Sequence, residues 1–318
     1  MFSHPTRCTC FRIALALPIV LLAGCKMVVM NPSGDIASQQ ARLIVVSTLL
    51  MLLIIVPVIL LTVFFAWRYR KNNTSATYSP DWDHSTALEL VIWGAPLLII
   101  IALGLITWIS THTLDPYRPL SRLDEGRPIS ADVRTLDVEV VALDWKWLFI
   151  YPQLGIATVN ELAAPVDVPI RFKITAASVM NSFFIPSLAG QIYAMPGMQT
   201  SLNAVINKPG VYEGFSANYS GAGFSDMKFK FHGMSEENFD RWVKAAKSNG
   251  QTLDRKNYVQ LEKPSQREPA RRYGAVDADL FHAVVNRCVD AAQVCMDKAM
   301  MQSMKHEAHG GSQKVVAK

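Results

Sequence analysis

Two uncharged apolar runs near the start of this 318-residue chain constrain its fold more than any other feature. Ile44 to Ala66 is 23 residues long, and Leu90 to Ser110 is 21. Coiled as helices, both are long enough to cross a hydrocarbon core of about 30 Å with some tilt. Pro57 and Pro96 fall inside them, which membrane helices tolerate when neighbours satisfy the freed carbonyls. Trp67, Tyr69, Trp93 and Trp108 suit the interfacial layer. The runs predict a transmembrane hairpin rather than a buried hairpin of a soluble protein. Composition agrees: half the residues are hydrophobic, and the excess lies before residue 110. The net charge of +5 is spread along the chain, which argues against a nucleic-acid partner.

Residues 1–24 read as a secretory leader, with Arg7 and Arg12 ahead of a short apolar stretch from Ile13 to Leu22. That stretch is too short to span. Leu22-Ala23-Gly24-Cys25 resembles a bacterial lipobox, which predicts acylation of Cys25 and a mature N-terminus on the outer face of the inner membrane. Cys8 and Cys10 would leave with the leader. Cys288 and Cys295 remain, and their pairing is open. On one continuous helix they would stand about 10.5 Å apart, beyond the roughly 7 Å limit for a disulfide; a break in the helix would let them meet.

Arg68, Arg70 and Lys71 crowd against the end of the first run, which favours a cytoplasmic loop there. Arg118, Arg122 and Arg127 flank the other side, so basic residues alone do not decide. The leader does: starting outside, two crossings return the chain to the periplasm. Glu89 then sits at the cytoplasmic mouth of the second span. A carboxylate near membrane depth is a functional candidate by default, although an interfacial side chain that simply reaches water would look the same.

After a Pro- and charge-rich linker at 111–130, period-two alternation begins. Leu136, Val138 and Val140 alternate with Asp137 and Glu139; Ile170, Phe172 and Ile174 alternate with Arg171 and Lys173. Further runs at 199–206, 211–217 and 226–232 are divided by Gly, Pro and Asn. Short strands with such punctuation predict a β-sandwich. Ser235-Glu236-Glu237-Asn238 can then open a helix carrying Phe239, Trp242, Val243 and Ala246 at helical spacing. A charged connector covers 262–274, a last helix is expected over about 277–304, and 305–318 reads as disordered. The fold class is membrane-anchored α+β. Its parts are a leader (1–24), a hairpin (25–110, spans about 44–66 and 88–110), a β-domain (111–234), an aromatic-rich helical extension (235–281) and a terminal helix with tail (282–318).

Asp144-Trp145-Lys146-Trp147, followed by Phe149 and Tyr151, resembles the aromatic segment that opens the cupredoxin-like periplasmic domain of subunit II of the haem–copper oxidases. In copper-bearing members a tryptophan matching Trp145 takes electrons from cytochrome c; here a core or interface role is expected instead. Those members hold a binuclear copper site with two histidines, two thiolates, a methionine and a backbone carbonyl, soft donors that suit copper. The first histidine falls on Asn181. The loop Cys-x-Glu-x-Cys-Gly-x-x-His-Ser-x-Met falls on residues 216–227, so the cysteines become Ser216 and Ser220, the glutamate Asn218 and the second histidine Phe224. Met227 alone persists. This pattern, together with Tyr78-Ser79-Pro80, Met180 to Pro186 and Gln191 to Met195, is similar to the ubiquinol-oxidase branch over nearly the whole chain.

The resemblance implies a structural, non-redox subunit of a proton-pumping enzyme that oxidises ubiquinol and reduces oxygen to water. No cofactor is expected on this chain; haems and copper belong to subunit I, the main partner beside other oxidase subunits and membrane lipid, with cytochrome c not a partner. Glu89 matches a carboxylate at the entrance to a proton-uptake path. Two alternatives carry different chemistry. One is a copper-bearing cytochrome c oxidase subunit, against which the missing ligands argue. The other is a copper-handling lipoprotein using the soft donors Met296, Met300, Met301, Met304, His306 and His309.

Overall fold

The computed structural model describes residues 27–313 apart from 78, 80, 131, 132 and 291, with the side chains of 305–313 also outside the description. The leader, Cys25, Tyr78, Pro80 and the imidazoles of His306 and His309 therefore lie outside the described residues. The apolar runs form α1 (Asp35–Arg68) and α2 (Thr86–Thr113), each with its proline inside the helix. Neither has any of its central apolar stretch buried within the chain. Both therefore need lipid or a partner around them.

The start of α1 is clamped to the β-domain rather than free. Asp35, Ala37 and Ala41 are its buried residues. Arg122 Nε stands 3.1 Å from Asp35 Oδ2, and Gln39 donates to the same oxygen at 2.6 Å. Gly34 bridges Ile206, and a Cβ there would lie 2.5 Å from the Val205 carbonyl oxygen. Only glycine permits that approach.

Among the described residues, fifteen short strands follow α2. β1 (Arg122–Asp124) and β2 (Arg127–Pro128) make a hairpin within the expected linker. The domain proper comprises β3 (Leu136–Leu143), β4 (Lys146–Tyr151), β5 (Ile156–Val159), β6 (Glu161–Pro165), β7 (Pro169–Ala176), β8 (Asn181–Phe184), β9 (Ile192–Ala194), β10 (Thr200–Val205), β11 (Gly210–Ser216) and β12 (Lys228–Met234). The extension adds α3 (Glu236–Lys247), β13 (Thr252–Leu253), α4 (Arg255–Glu262), β14 (Arg271–Tyr273), β15 (Ala275–Val276), α5 (Leu280–Val285) and α6 (Met296–Gln313). Six strands pair in the order β10-β7-β3-β4-β5-β14, and five in the order β6-β12-β11-β8-β9. β3 with β7, and β6 with β12, are the parallel neighbours among these two sheets. The result is a cupredoxin-like sandwich behind a two-helix hairpin, as expected.

The six-stranded sheet is buried on both faces at β4, β5 and the end of β3. Val138, Val140, Trp147, Phe149 and Tyr151 point into the space between the sheets, where they meet Phe183, Phe229 and Phe231. Phe183 and Phe229 stack with ring centres 5.5 Å apart. Trp147 meets both edge-on at 5.4 and 5.8 Å, which suits aromatic quadrupoles. The opposite face presents Val141, Leu143, Leu148 and Ile150 to Leu253, Tyr258, Leu261, Tyr273, Leu280 and Phe281 of the extension. The extension is thus a third layer. It is not purely helical, because β14 pairs with β5 and joins the sheet.

Two polar locks hold that layer. Lys146 is buried, and its ammonium donates to the Lys263 carbonyl and the Ser265 hydroxyl, both at 2.7 Å. Burial lowers its pKa, against the raising charges of Glu268 and Asp144. Glu161 accepts two hydrogen bonds from Arg272 at 2.8 and 2.6 Å and one from the Trp242 indole at 3.1 Å. Arg272 also lies over the Trp242 ring, 5.4 Å from its centre.

The expected single helix over 277–304 is broken. α5 ends at Val285, α6 starts at Met296, and between them Cys288 and Cys295 form a disulfide with Cα atoms 4.8 Å apart. The break supplies the close approach that a continuous helix denies. α6 also continues past 304 to Gln313, through residues expected to be disordered.

Burial pushes the Glu161 pKa up, but the bonds from Arg272 and Trp242 and the charges of Arg272 and His232 outweigh it, leaving a net lowering. A depressed folded-state value means stability that is present above the unfolded value of about 4.3 and is lost as pH falls through the folded value. Thermal unfolding of the purified protein should therefore weaken below about pH 4, and Glu161→Gln should flatten that dependence. Arg272→Ala should cost about 3 kcal/mol by leaving the carboxylate unpaired.

Candidate functional site

The loop between β11 and β12 is built against two other segments. Ser216 ends β11 opposite Phe183 of β8, and the Ala217 amide donates to the Ser182 carbonyl at 3.0 Å. These pairings bring Asn181, Ser216 and Asn218 together. The Ser216 hydroxyl lies 3.1 Å from Asn181 Oδ1 and 3.2 Å from the Asn218 carbonyl. Asn181 is buried and donates through Nδ2 to the Val179 carbonyl at 3.1 Å. Asn218 donates to the Met180 and Tyr219 carbonyls at 3.4 and 3.3 Å. The three side chains and their neighbouring carbonyls satisfy one another.

The remaining loop positions face elsewhere. Phe224 packs edge-on against Tyr219 with ring centres 5.6 Å apart. Met227 is fully buried in the main core between the sheets. Ser220 accepts a hydrogen bond from the Trp145 indole through its carbonyl at 3.0 Å. Its hydroxyl is buried and has no hydrogen-bond partner among the described residues.

Trp145 organises this loop, a role that its sequence setting did not reveal. It occupies the two-residue turn between β3 and β4 with φ +65°, a left-handed conformation that costs a bulky side chain about 1–2 kcal/mol. Besides the indole bond, its ring lies on Gly221 and Gly223. A Cβ at Gly223 would come within 2.4 Å of the ring carbons, and at Gly221 within 3.2 Å. Gly221 itself has φ +108°. Trp145 is half-buried at the domain surface, consistent with the interface aromatic expected for it.

Glu89 lies in the first turn of α2. Counting 24 residues to Thr113 places it about 36 Å from the helix end that leads to the β-domain. His84 Nδ1 approaches its carboxylate at 2.8 Å, a neighbour that no periodicity in the loop sequence announces. Met296, Met300, Met301 and Met304 are all exposed on α6, with the Met296 methyl against Gly197. Among the described residues, no three or more His, Cys, Asp or Glu side chains gather in a metal-binding arrangement.

Family comparisons fit this geometry. Residues 137–233 match the family model for the cytochrome c oxidase subunit II periplasmic domain, and 247–292 match the oxidase aromatic-rich motif. The cytochrome bo(3) ubiquinol oxidase subunit 2 of Pseudomonas putida is 50% identical over 277 residues, covering 87% of this chain and 85% of that protein. The chain belongs to the ubiquinol oxidase subunit 2 family. A further member, the ubiquinol oxidase subunit 2 of Acetobacter aceti, is 50% identical over 266 residues, covering 84% of each chain. The quinol oxidase subunit 2 of Bacillus cereus is 38% identical over 260 residues, covering 80% of this chain and 86% of its own. The family's aromatic-rich motif coincides with the third layer, running from the end of α3 across Tyr258, Tyr273 and Phe281 to the disulfide loop.

Gly223→Ala should be destabilising by about 1–3 kcal/mol, because the added methyl meets a ring fixed by its own turn. The same substitution on a Trp145→Ala background should cost far less. A double-mutant cycle read by thermal unfolding measures the coupling; additive losses would separate the glycine from the tryptophan.

Proposed function

We propose that this chain is the non-redox subunit II of a proton-pumping terminal oxidase that takes electrons from ubiquinol and reduces oxygen to water. The observation that carries this reading is the donor set of the β11–β12 loop. A binuclear copper centre needs bridging thiolates and imidazoles. Here Asn181, Ser216, Asn218 and Ser220 offer only hydroxyls and amides, with the Ser216 hydroxyl bonded to Asn181 and to the Asn218 carbonyl; Phe224 offers a phenyl ring, and Met227 is buried in the core. These residues do not fit the copper pair. Quinol is lipid-soluble and reaches a membrane-embedded redox centre laterally, so an electron relay through the periplasmic domain is unnecessary. Haems and copper then belong to subunit I.

In this reading the exposed apolar flanks of α1 and α2 pack against subunit I and lipid in the bacterial inner membrane. The β-domain faces the periplasm, and acylated Cys25 adds a lipid anchor. The proposed domain limits are those read from the sequence: leader 1–24, hairpin 25–110, β-domain 111–234, extension 235–281 and tail 282–318. Glu89 is proposed to relay protons at the cytoplasmic mouth. Its support is the residue's place in the first turn of α2, with a titratable imidazole 2.8 Å away.

The purified native assembly should consume oxygen with ubiquinol and not with reduced cytochrome c, and this chain should carry no stoichiometric copper. Binuclear copper on the chain, or turnover driven by cytochrome c, would overturn the reading. Glu89→Gln should lower quinol-driven turnover by about tenfold or more, in the range for a lost proton-transfer group. A near-normal rate would remove Glu89 from the path while leaving the subunit assignment intact.

A further inference from the structure

A cavity of about 230 Å³ opens where the two spans meet the β-domain, between the first turns of α1, the chain that leaves α2, and the edge carrying Gln191 and Asn203. Its depth follows from its walls. Gln40 lies four residues before the uncharged run that begins at Ile44, about 6 Å along the helix. Thr113 lies three residues past Ser110, about 4.5 Å beyond the second run. A bilayer of about 40–45 Å around a 30 Å core leaves roughly 5–7 Å of headgroup layer on each side. The cavity is therefore at headgroup depth on the domain side, given the spanning arrangement proposed above.

Its charges are of both signs, and only the inner pair, Arg122 and Asp35, is joined. Asp115 and Arg118 share one turn, in which the Arg118 amide donates to the Asp115 carbonyl at 3.1 Å. Both side chains line the cavity and are exposed. Neither has an ion-pair partner among the described residues. The Asp115 carboxylate accepts only the Tyr117 amide at 2.9 Å, and Arg118 donates only to the His112 carbonyl at 3.3 Å. Deeper in, Arg122 is held by buried Asp35. A simple anion placed here would meet two carboxylates, and a simple cation would meet two guanidiniums. A zwitterion meets neither problem. Ile36, Leu114, Leu120 and Leu202 add apolar wall.

We propose that this cavity binds the headgroup of a zwitterionic aminophospholipid, with its phosphodiester on the Arg118 guanidinium and its ammonium on the Asp115 carboxylate. Arginine suits the phosphate because its planar fork matches the phosphate oxygens. At a liquid-water share of about 30 Å³ per molecule, the volume corresponds to roughly seven or eight waters. That accommodates a phosphate and a two-carbon amine, with the acyl chains left in the bilayer beside the spans.

The test uses the assembled oxidase in nanodiscs and reads the protection of Arg118 from a guanidinium-modifying dicarbonyl by peptide mass spectrometry. Discs containing phosphatidylethanolamine should slow modification of Arg118 about tenfold relative to discs of phosphatidylglycerol, and Asp115→Asn should abolish the difference. Equal protection by both lipids, or no effect of Asp115→Asn, overturns a zwitterionic site. Equal protection in lipid-free detergent also overturns it, because a neighbouring subunit then covers the cavity. Protection by soluble phosphoethanolamine matching that by the lipid overturns the membrane as the source. Quinol-driven oxygen consumption of the wild-type assembly is recorded in the same preparation. Activity without lipid-dependent protection rejects this proposal and leaves the functional assignment standing.

Discussion

Burial of both faces of the six-stranded sheet around β4, β5 and the end of β3 is the constraint on which the rest of this structure depends. A two-layer sandwich leaves one face of each sheet in water, and polar residues there cost nothing. Here the outer face of β4 and of the second half of β3 is apolar, through Val141, Leu143, Leu148 and Ile150, and cannot be left exposed. The extension exists as a layer to cover it. Its four helices and three short strands are too small to hold a core alone, so they fold as a cover rather than as an independent domain. The polar locks at Lys146 and Glu161 then fix the position of that cover. Burying a lysine and a glutamate is tolerable only because each finds oxygen or guanidinium partners at hydrogen-bond distance.

The same constraint reaches the β11–β12 loop. Doubly buried β3 and β4 are joined by only two residues, Asp144 and Trp145. So tight a connection between fixed strands leaves Trp145 in a left-handed conformation. Its ring is thereby thrown onto the loop, where Gly221 and Gly223 leave room for it and the Ser220 carbonyl takes its N–H. The loop's glycine spacing is a packing requirement of the neighbouring turn.

How much of this was legible in the sequence follows from the same physics. The two long apolar helices are plain in the sequence because their uncharged runs exceed 20 residues. β3 and β7 were visible where one face stays polar, as in Arg171 and Lys173 of β7. β4 and β5 were not read as strands, since a strand buried on both sides loses alternation; Trp147-Leu148-Phe149-Ile150-Tyr151 shows no period at all. The disulfide was left open because pairing turned on a helix break that helical spacing could not reveal. At the loop, the side chains at the positions that the resemblance matches are readable residue by residue. The mutual bonding of Asn181, Ser216 and Asn218 was not, because it depends on the register of β8 against β11.

These packing facts bear on why a metal-loop frame persists in a chain proposed to hold no metal there. Met227 is the one proposed ligand position that keeps the methionine the resemblance expects, and it is fully buried among the aromatic rings between the sheets. Replacing it with a smaller residue would leave a core cavity costing about 2–5 kcal/mol, whatever the loop binds. The glycines answer to Trp145 in the same way. The other proposed ligand positions are filled by serine, asparagine and phenylalanine. On the reading proposed above, retention follows packing and loss follows chemistry, so the outline of the loop and the absence of its donors have separate causes. That separation favours an electron route that bypasses this subunit over one in which the loop binds a metal by other means.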